Sequence, residues 1–324
     1  MAPVTFTVYK TNELSELQLA SLVRNFNTVF EKDIKTVDLI RRYVNNEKGF
    51  SYHSLMETEC EVVGYFSAVP YNYSYFGREK IFCYLGNLFI MPGYRKDALA
   101  FFKMYRNAKE LLIAEGVSLL MAVPNKNSYP YFIHALKWKE VSTLPYYALP
   151  VKVGTVLNKK FLNVISEPFI KAQSIFNAVF TFASNSKEAV SDIFLVPKEP
   201  LMEQHRYSDA HRVIKKEKFS AFYRVIEEEG INTAYLIDFY NSIGKRDSYS
   251  LRKAVEYIIK NESPDLVLFI GELKMFQTIL FRVPKNKEPR PLNFCVEILD
   301  KTGVNERAYD VSSWNFGLYN FDVR

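Results

Sequence analysis

Tyr84-Leu85-Gly86-Asn87-Leu88-Phe89-Ile90-Met91-Pro92-Gly93-Tyr94-Arg95-Lys96-Asp97-Ala98-Leu99-Ala100 is the stretch that decides the fold. Tyr84 to Ile90 is an apolar run of strand length. It stops at Met91-Pro92-Gly93, where proline removes a ladder donor and glycine allows a turn. From Ala98 the pattern turns helical: Phe101, Tyr105, Ala108 and Leu112 recur at three- and four-residue spacing, and Gly116 supplies a stop. Val117 to Val123 is a second apolar strand, closed by Pro124. A strand that passes through a basic turn into a helix start gathers backbone N–H groups and the positive helix end at one point. Such a point suits an anion.

Towards the N-terminus, Thr5 to Tyr9 alternates as a strand, and Glu13 to Phe30 and Thr36 to Asn45 carry amphipathic helical patterns. Phe50 to Thr58 and Glu61 to Val69 read as antiparallel strands, which Tyr71 to Phe76 extends as a meander. The first 150 or so residues therefore predict a mixed α/β layer with helices on both faces. Beyond Pro150, Phe161 to Phe182 has a helical apolar pattern interrupted by Asn163, Glu167, Pro168 and Lys171. It is too polar to span a bilayer and reads as a connector helix, with an interfacial membrane helix as the sharper alternative. Phe219 to Glu227 and Ile231 to Tyr240 form a strand pair, Ser250 to Lys260 a helix, and Asp265 to Ile270 a buried strand. Phe276 to Val283, Asn293 to Leu299 and Val311 to Phe321 are read as closing strands. This order repeats that of the opening stretch.

With 324 residues, 48% hydrophobic and 24% charged, the chain suits about two soluble domains. A net charge of +6 without basic blocks favours an anionic ligand and argues against a nucleic-acid partner. Cys60, Cys83 and Cys295 are odd in number and widely spaced, so neither a disulfide framework nor a metal site is expected, and a reducing cytoplasm is the simpler setting. Met1 to Thr5 lacks the basic-then-apolar pattern of a secretory signal. No Walker, Gly-x-Ser-x-Gly or His-Glu-x-x-His pattern occurs.

The run from Asn87 to Ala100 resembles the acyl-CoA-binding core of the GNAT N-acyltransferase superfamily. There an apolar strand passes through a proline-containing run into Arg/Gln-x-x-Gly-x-Gly/Ala and a helix. Arg95, Ala98 and Ala100 stand at the marked positions. Pro124-Asn125-Lys126-Asn127-Ser128 and Leu136-Lys137-Trp138 are similar to that family's Asn-rich segment and its closing aromatic. The resemblance implies a GNAT-like domain over 1–152, a helical connector over 153–199 and a C-terminal α/β domain over 200–324. The last would be a degenerate GNAT-like copy that shapes an acceptor cleft or forms a homodimer surface. It implies acetyl-CoA as co-substrate and transfer of the acyl group to a primary amine on an amino sugar, a small amine or a protein. Leu88, Phe89 and Ile90 would meet the pantetheine arm and thioester. Arg95, Lys96, Asp97, Ala98, Leu99 and Ala100 would hold the pyrophosphate, with Asn125 and Asn127 nearby. Tyr129 and Tyr131 are the candidates for protonating the leaving thiolate, and Glu61 for the base. Where the family has its first loop glycine this chain has Ala98, Asp97 sets a negative charge beside the phosphates, and the family's helix tyrosine has no clean counterpart. A CoA-binding protein without turnover is therefore the competing reading.

Overall fold

The computed structural model describes residues 3–321 except 45, 60, 97–98, 157, 185–191, 197–210 and 274–277. In chain order the elements are β1 (Thr5–Lys10), α1 (Glu16–Phe30), α2 (Thr36–Val44), β2 (Tyr52–Glu57), β3 (Val62–Tyr75) and β4 (Arg78–Ile90). There follow α3 (Ala100–Ala114), β5 (Val117–Ala122), β6 (Lys139–Thr143), β7 (Tyr146–Pro150), α4 (Ser166–Ser184) and β8 (Ile193–Leu195). The chain continues through β9 (His211–Lys216), β10 (Phe219–Glu228), β11 (Ile231–Asn241) and α5 (Ser248–Glu262). It ends with β12 (Leu266–Ile270), β13 (Phe281–Arg282), β14 (Asn293–Ile298) and β15 (Trp314–Asn315).

The elements sort into two units that interleave along the sequence. The first takes Met1–Thr143, Asp192–Arg206 and Leu292–Trp314; the second takes Leu144–Ser191, Tyr207–Pro291 and Asn315–Arg324. Each unit has its own sheet. In the first the order is β1-β2-β3-β4-β5-β14-β6, with β8 on the far end of β3 and β15 on β8. In the second it is β13-β7-β12-β11-β10-β9. The strand that closes the first sheet against β5, β14, thus comes from the C-terminal half of the chain. Its counterpart against β12, β7, comes from the N-terminal half. Antiparallel pairs, a crossover helix and one parallel pair recur in both: β3–β4, α3 and β4–β5 in the first, β10–β11, α5 and β11–β12 in the second. Even the hairpin turns match. Phe76-Gly77 and Glu229-Gly230 both take positive φ at both positions, as a two-residue turn between right-twisted strands requires.

Two apolar layers flank the first sheet. Leu22, Phe26, Leu39, Tyr43, Leu55, Tyr65 and Phe89 fill the one under α1 and α2. Val63, Phe66, Leu85, Phe101, Met104, Tyr105, Ala108 and Trp138 fill the one under α3. Ser15 caps α1 through a reciprocal pair with Gln18, which fixes where the helix starts. In the second unit the Phe161–Phe182 pattern becomes a short 3-10 turn and then α4, which tolerates Pro168 because first-turn amides have no helical partner. Ser174 on α4 bonds Glu256 on α5 at 2.6 Å. Among the described residues no helix is long and apolar enough to cross a membrane.

Two expected strands differ. Of Val311 to Phe321 only Trp314–Asn315 is strand. Leu318–Phe321 is helical, its first turn held by Gly317 N–H on Asn320 Oδ1, a local side-chain bond that competes with a ladder. Of Phe276 to Val283 only Phe281–Arg282 pairs, and 276–277 lie outside the described residues.

Candidate functional site

β4 pairs with β3 from Arg78 to Ile90 but with β5 only from Ile81 to Tyr84. Beyond Tyr84, among the described residues, no strand pairs with the edge of β4 that faces β5, so ladder groups between Leu85 and Phe89 lack a strand partner on that side. The strand is bulged in this stretch. Ser67 pairs with Gly86 and Tyr65 with Phe89, so Asn87 and Leu88 together oppose Phe66. Asn87 takes φ 59°, a conformation asparagine tolerates better than most residues, and its Nδ2 donates to the Tyr43 hydroxyl at 2.7 Å. After the bulge Phe89 is buried under α1 and α2, while Leu88 and Ile90 pack on the α3 side. Asn87 was not among the sequence candidates; a Gly-Asn pair inside an apolar strand is the signal that points to such a bulge.

The strand ends in a 3-10 turn, Pro92–Tyr94. Arg95 folds back, and its Nε donates to the Ile90 carbonyl at 2.7 Å, which secures the strand end. Lys96 is exposed, Asp97 and Ala98 lie outside the described residues, and Leu99 stands 60% exposed at the N-cap of α3. Ala100, the first residue of the helix, is fully buried. Among the described residues no side chain caps α3 and no acid lies in its first turn. The open edge of β4 and this helix start lie ten residues apart in sequence, Ile90 to Ala100, with the turn Pro92–Tyr94 between them.

The other candidates are placed as follows. Asn125 spends its side chain on its own turn: Oδ1 accepts from Asn127 N–H and Ser128 N–H at 2.9 and 3.0 Å. Asn127 is exposed. Tyr129 packs on the α3-side core, and its hydroxyl donates to the Glu140 carboxylate, a bond that pushes its pKa up to about 12. Tyr131, in the single π-helical turn Tyr131–Ala135, is 53% exposed and sits edge-on against Phe101, the second residue of α3, at 6.2 Å. Glu61 receives Arg24 Nη2 at 2.9 Å and Asn25 Nδ2 at 3.2 Å. These bonds hold its carboxyl below the ordinary range and tie α1 to the start of β3. The structure therefore sets Tyr131 against the start of α3, packs Leu88, Ile90 and Tyr129 on one core, and engages the polar groups of Tyr129, Asn125 and Glu61 with protein partners.

The second unit shows what becomes of the same arrangement when the protein fills it. β11 pairs with β12 only from Thr233 to Tyr235, and Ile237 is the extra residue of a bulge. Next to it the buried Asp238 takes Arg246 Nε at 2.6 Å and the Tyr240 hydroxyl. The guanidinium lies over Phe239 on β11 and Phe269 on β12, 5.9 and 5.4 Å from their centroids. Asp247 caps α5, its Oδ1 accepting from Ser250 N–H at 2.7 Å and its Oδ2 from Asn241 at 2.7 Å. The second unit thus has its own carboxylate at the helix start and a guanidinium over the rings of two neighbouring strands.

No protein-family model matches the chain, and no curated protein does. Among solved structures it is similar to a GCN5-related N-acetyltransferase from Kribbella flavida, with TM-score 0.58 and 13% identity over 91% of this chain and 72% of that one. A GCN5-related N-acetyltransferase from Anabaena variabilis gives TM-score 0.57 at 10% identity, over 91% and 73% of the two chains. So does an Enterococcus faecalis protein described as a probable N-acyltransferase, with the same score, identity and shares. At these identities the likeness is one of fold. The chain has the mixed α/β fold of the GCN5-related N-acetyltransferases, and the likeness extends over both units.

Proposed function

We propose that the first unit binds an acyl-CoA, in the simplest case acetyl-CoA, and passes the acyl group to a primary amine. The observation that carries this reading is the edge of β4 at the Asn87 bulge, which no described strand pairs, ahead of a helix start that no described side chain caps. The residues fit the group. A pantetheine arm bears two amides, which match the ladder groups of Leu88 to Ile90. A pyrophosphate matches the positive end of α3 at Ala100, with Lys96 exposed on the turn. In this reading Asp97 and Ala98 belong to the phosphate-binding run, and Arg95 contributes by holding the Ile90 carbonyl in place. The reaction forms a C–N bond as the thioester C–S bond breaks. The amine gives up a proton and the departing sulfur gains one. Tyr131 is the better donor of the two tyrosines, because Tyr129 is bonded to Glu140 and its proton is correspondingly hard to remove.

The engagement of Tyr129 and Glu61 with protein partners also supports a second reading, binding without turnover. One experiment separates the two. Thiol release from acetyl-CoA is followed against a panel of amino sugars, polyamines and peptides with free amines. Release that depends on an amine and falls about tenfold or more in Tyr131→Phe supports transfer with Tyr131 as acid. Tight acetyl-CoA binding with no release against any amine supports the binding protein.

A further inference from the structure

Behind the Asn87 bulge a file of polar side chains crosses the otherwise apolar layer under α1 and α2. Asn87 Nδ2 reaches the Tyr43 hydroxyl at 2.7 Å, and the Tyr43 ring meets the Tyr65 ring edge to face at 6.4 Å. The Tyr65 hydroxyl meets His53 Nδ1 at 3.0 Å, and His53 Nε2 meets Thr11 Oγ1 at 2.9 Å. Thr11 ends the file by donating to the Ser51 carbonyl at 3.2 Å. Tyr43, Tyr65, His53 and Thr11 are all buried, and the Tyr43 and His53 rings meet edge to face at 4.6 Å.

A side-chain amide nitrogen can only donate, so the Tyr43 oxygen accepts from Asn87. Asn87 is the one residue of the open stretch of β4 that holds a left-handed backbone. A non-glycine residue at φ 59° costs energy that its surroundings must supply.

We propose that Tyr43 is a positioning residue: by accepting the Asn87 amide it pins the bulge and so sets where the Leu88 backbone stands on the open edge of β4. The consequence for a thioester rests on the acyl-CoA reading; the pinning of the bulge does not.

The test compares wild type with Tyr43→Phe, Asn87→Gly and the double variant. Two readouts are taken: amide hydrogen exchange of the segment Leu85–Ile90, and the ratio of acetyl-CoA to free CoA affinity. Tyr43→Phe is expected to speed exchange in that segment about tenfold while leaving Tyr52–Glu57 unchanged. It should cut the preference for acetyl-CoA about fivefold with CoA affinity within about twofold. Glycine takes positive φ unaided, so in the Asn87→Gly background Tyr43→Phe should add nothing. Exchange unchanged at the bulge, or raised equally across β2, overturns the proposal, since a purely structural hydroxyl would loosen its whole layer. If wild type binds neither CoA nor acetyl-CoA, the acyl-CoA reading fails and the exchange pattern alone decides the role of Tyr43. If Tyr43→Phe does not fold, Tyr65→Phe, one link further back, is read by the same criteria.

Discussion

Lowering the pH should destabilise the first unit through a single buried imidazole. His53 is 1% exposed, and burial lowers its pKa to about 3 from an ordinary 6.5. Protonating it would also make both ring nitrogens donors, facing the Tyr65 and Thr11 hydroxyls. Between these two values the unfolded chain takes up a proton that the folded unit refuses. Stability from this group is therefore complete above about pH 6.5 and is lost as the pH falls towards 3. Each pH unit inside the window is worth about 1.4 kcal/mol, so lowering the pH from 7.5 to 5 costs about 2 kcal/mol. Urea unfolding followed by tryptophan fluorescence reads this unit selectively, since the chain's two tryptophans, Trp138 and Trp314, both belong to it. His53→Gln keeps a donor and an acceptor but cannot titrate. Wild type should lose about 2 kcal/mol more than His53→Gln between the two pH values. Equal losses would refute the reasoning, whatever the variant costs at neutral pH.

Two further outcomes follow from the contrast between the two helix starts. Phe102→Glu places a carboxylate in the uncapped first turn of α3, where Phe102 is 45% exposed. It should leave the fold stable or stabilise it by about 0.3–1 kcal/mol while weakening acetyl-CoA binding about tenfold or more, read by thermal unfolding and calorimetry. Arg246→Met strands the buried Asp238 carboxylate and should cost about 3–5 kcal/mol by circular dichroism in urea, with part regained in Arg246→Met/Asp238→Asn.

Much of the first sheet was legible in the sequence, because strand and helix periods are local. The run to Ile90, the break at Pro92-Gly93 and the Phe101–Leu112 stripe lie where the residues put them. The exchange of β7 and β14 was not. Cys295 pairs with Ala122 and Leu149 with Val267, partners over a hundred residues apart, and a strand's alternation is the same whichever sheet it joins. The site was half legible. Composition showed the basic turn and the helix start, but the bulge depends on a backbone angle at Asn87, and His53, Tyr43 and Tyr65 look ordinary until the fold aligns them. Glu61 and Tyr129 carried suitable chemistry, yet Arg24 and Glu140 already engage them. The helix read from Ser250 starts earlier, at Ser248, and Asp247 caps it, so the second helix start supplies its own anion.

Calorimetric titration of the whole protein with acetyl-CoA tests the central claim most directly. Saturable binding of one equivalent, lost in Phe102→Glu and retained when the second unit's Asp247 is changed to Asn, is the result predicted from the open edge of β4 and the uncapped α3. No heat at millimolar acetyl-CoA, or binding indifferent to Phe102→Glu, would contradict it.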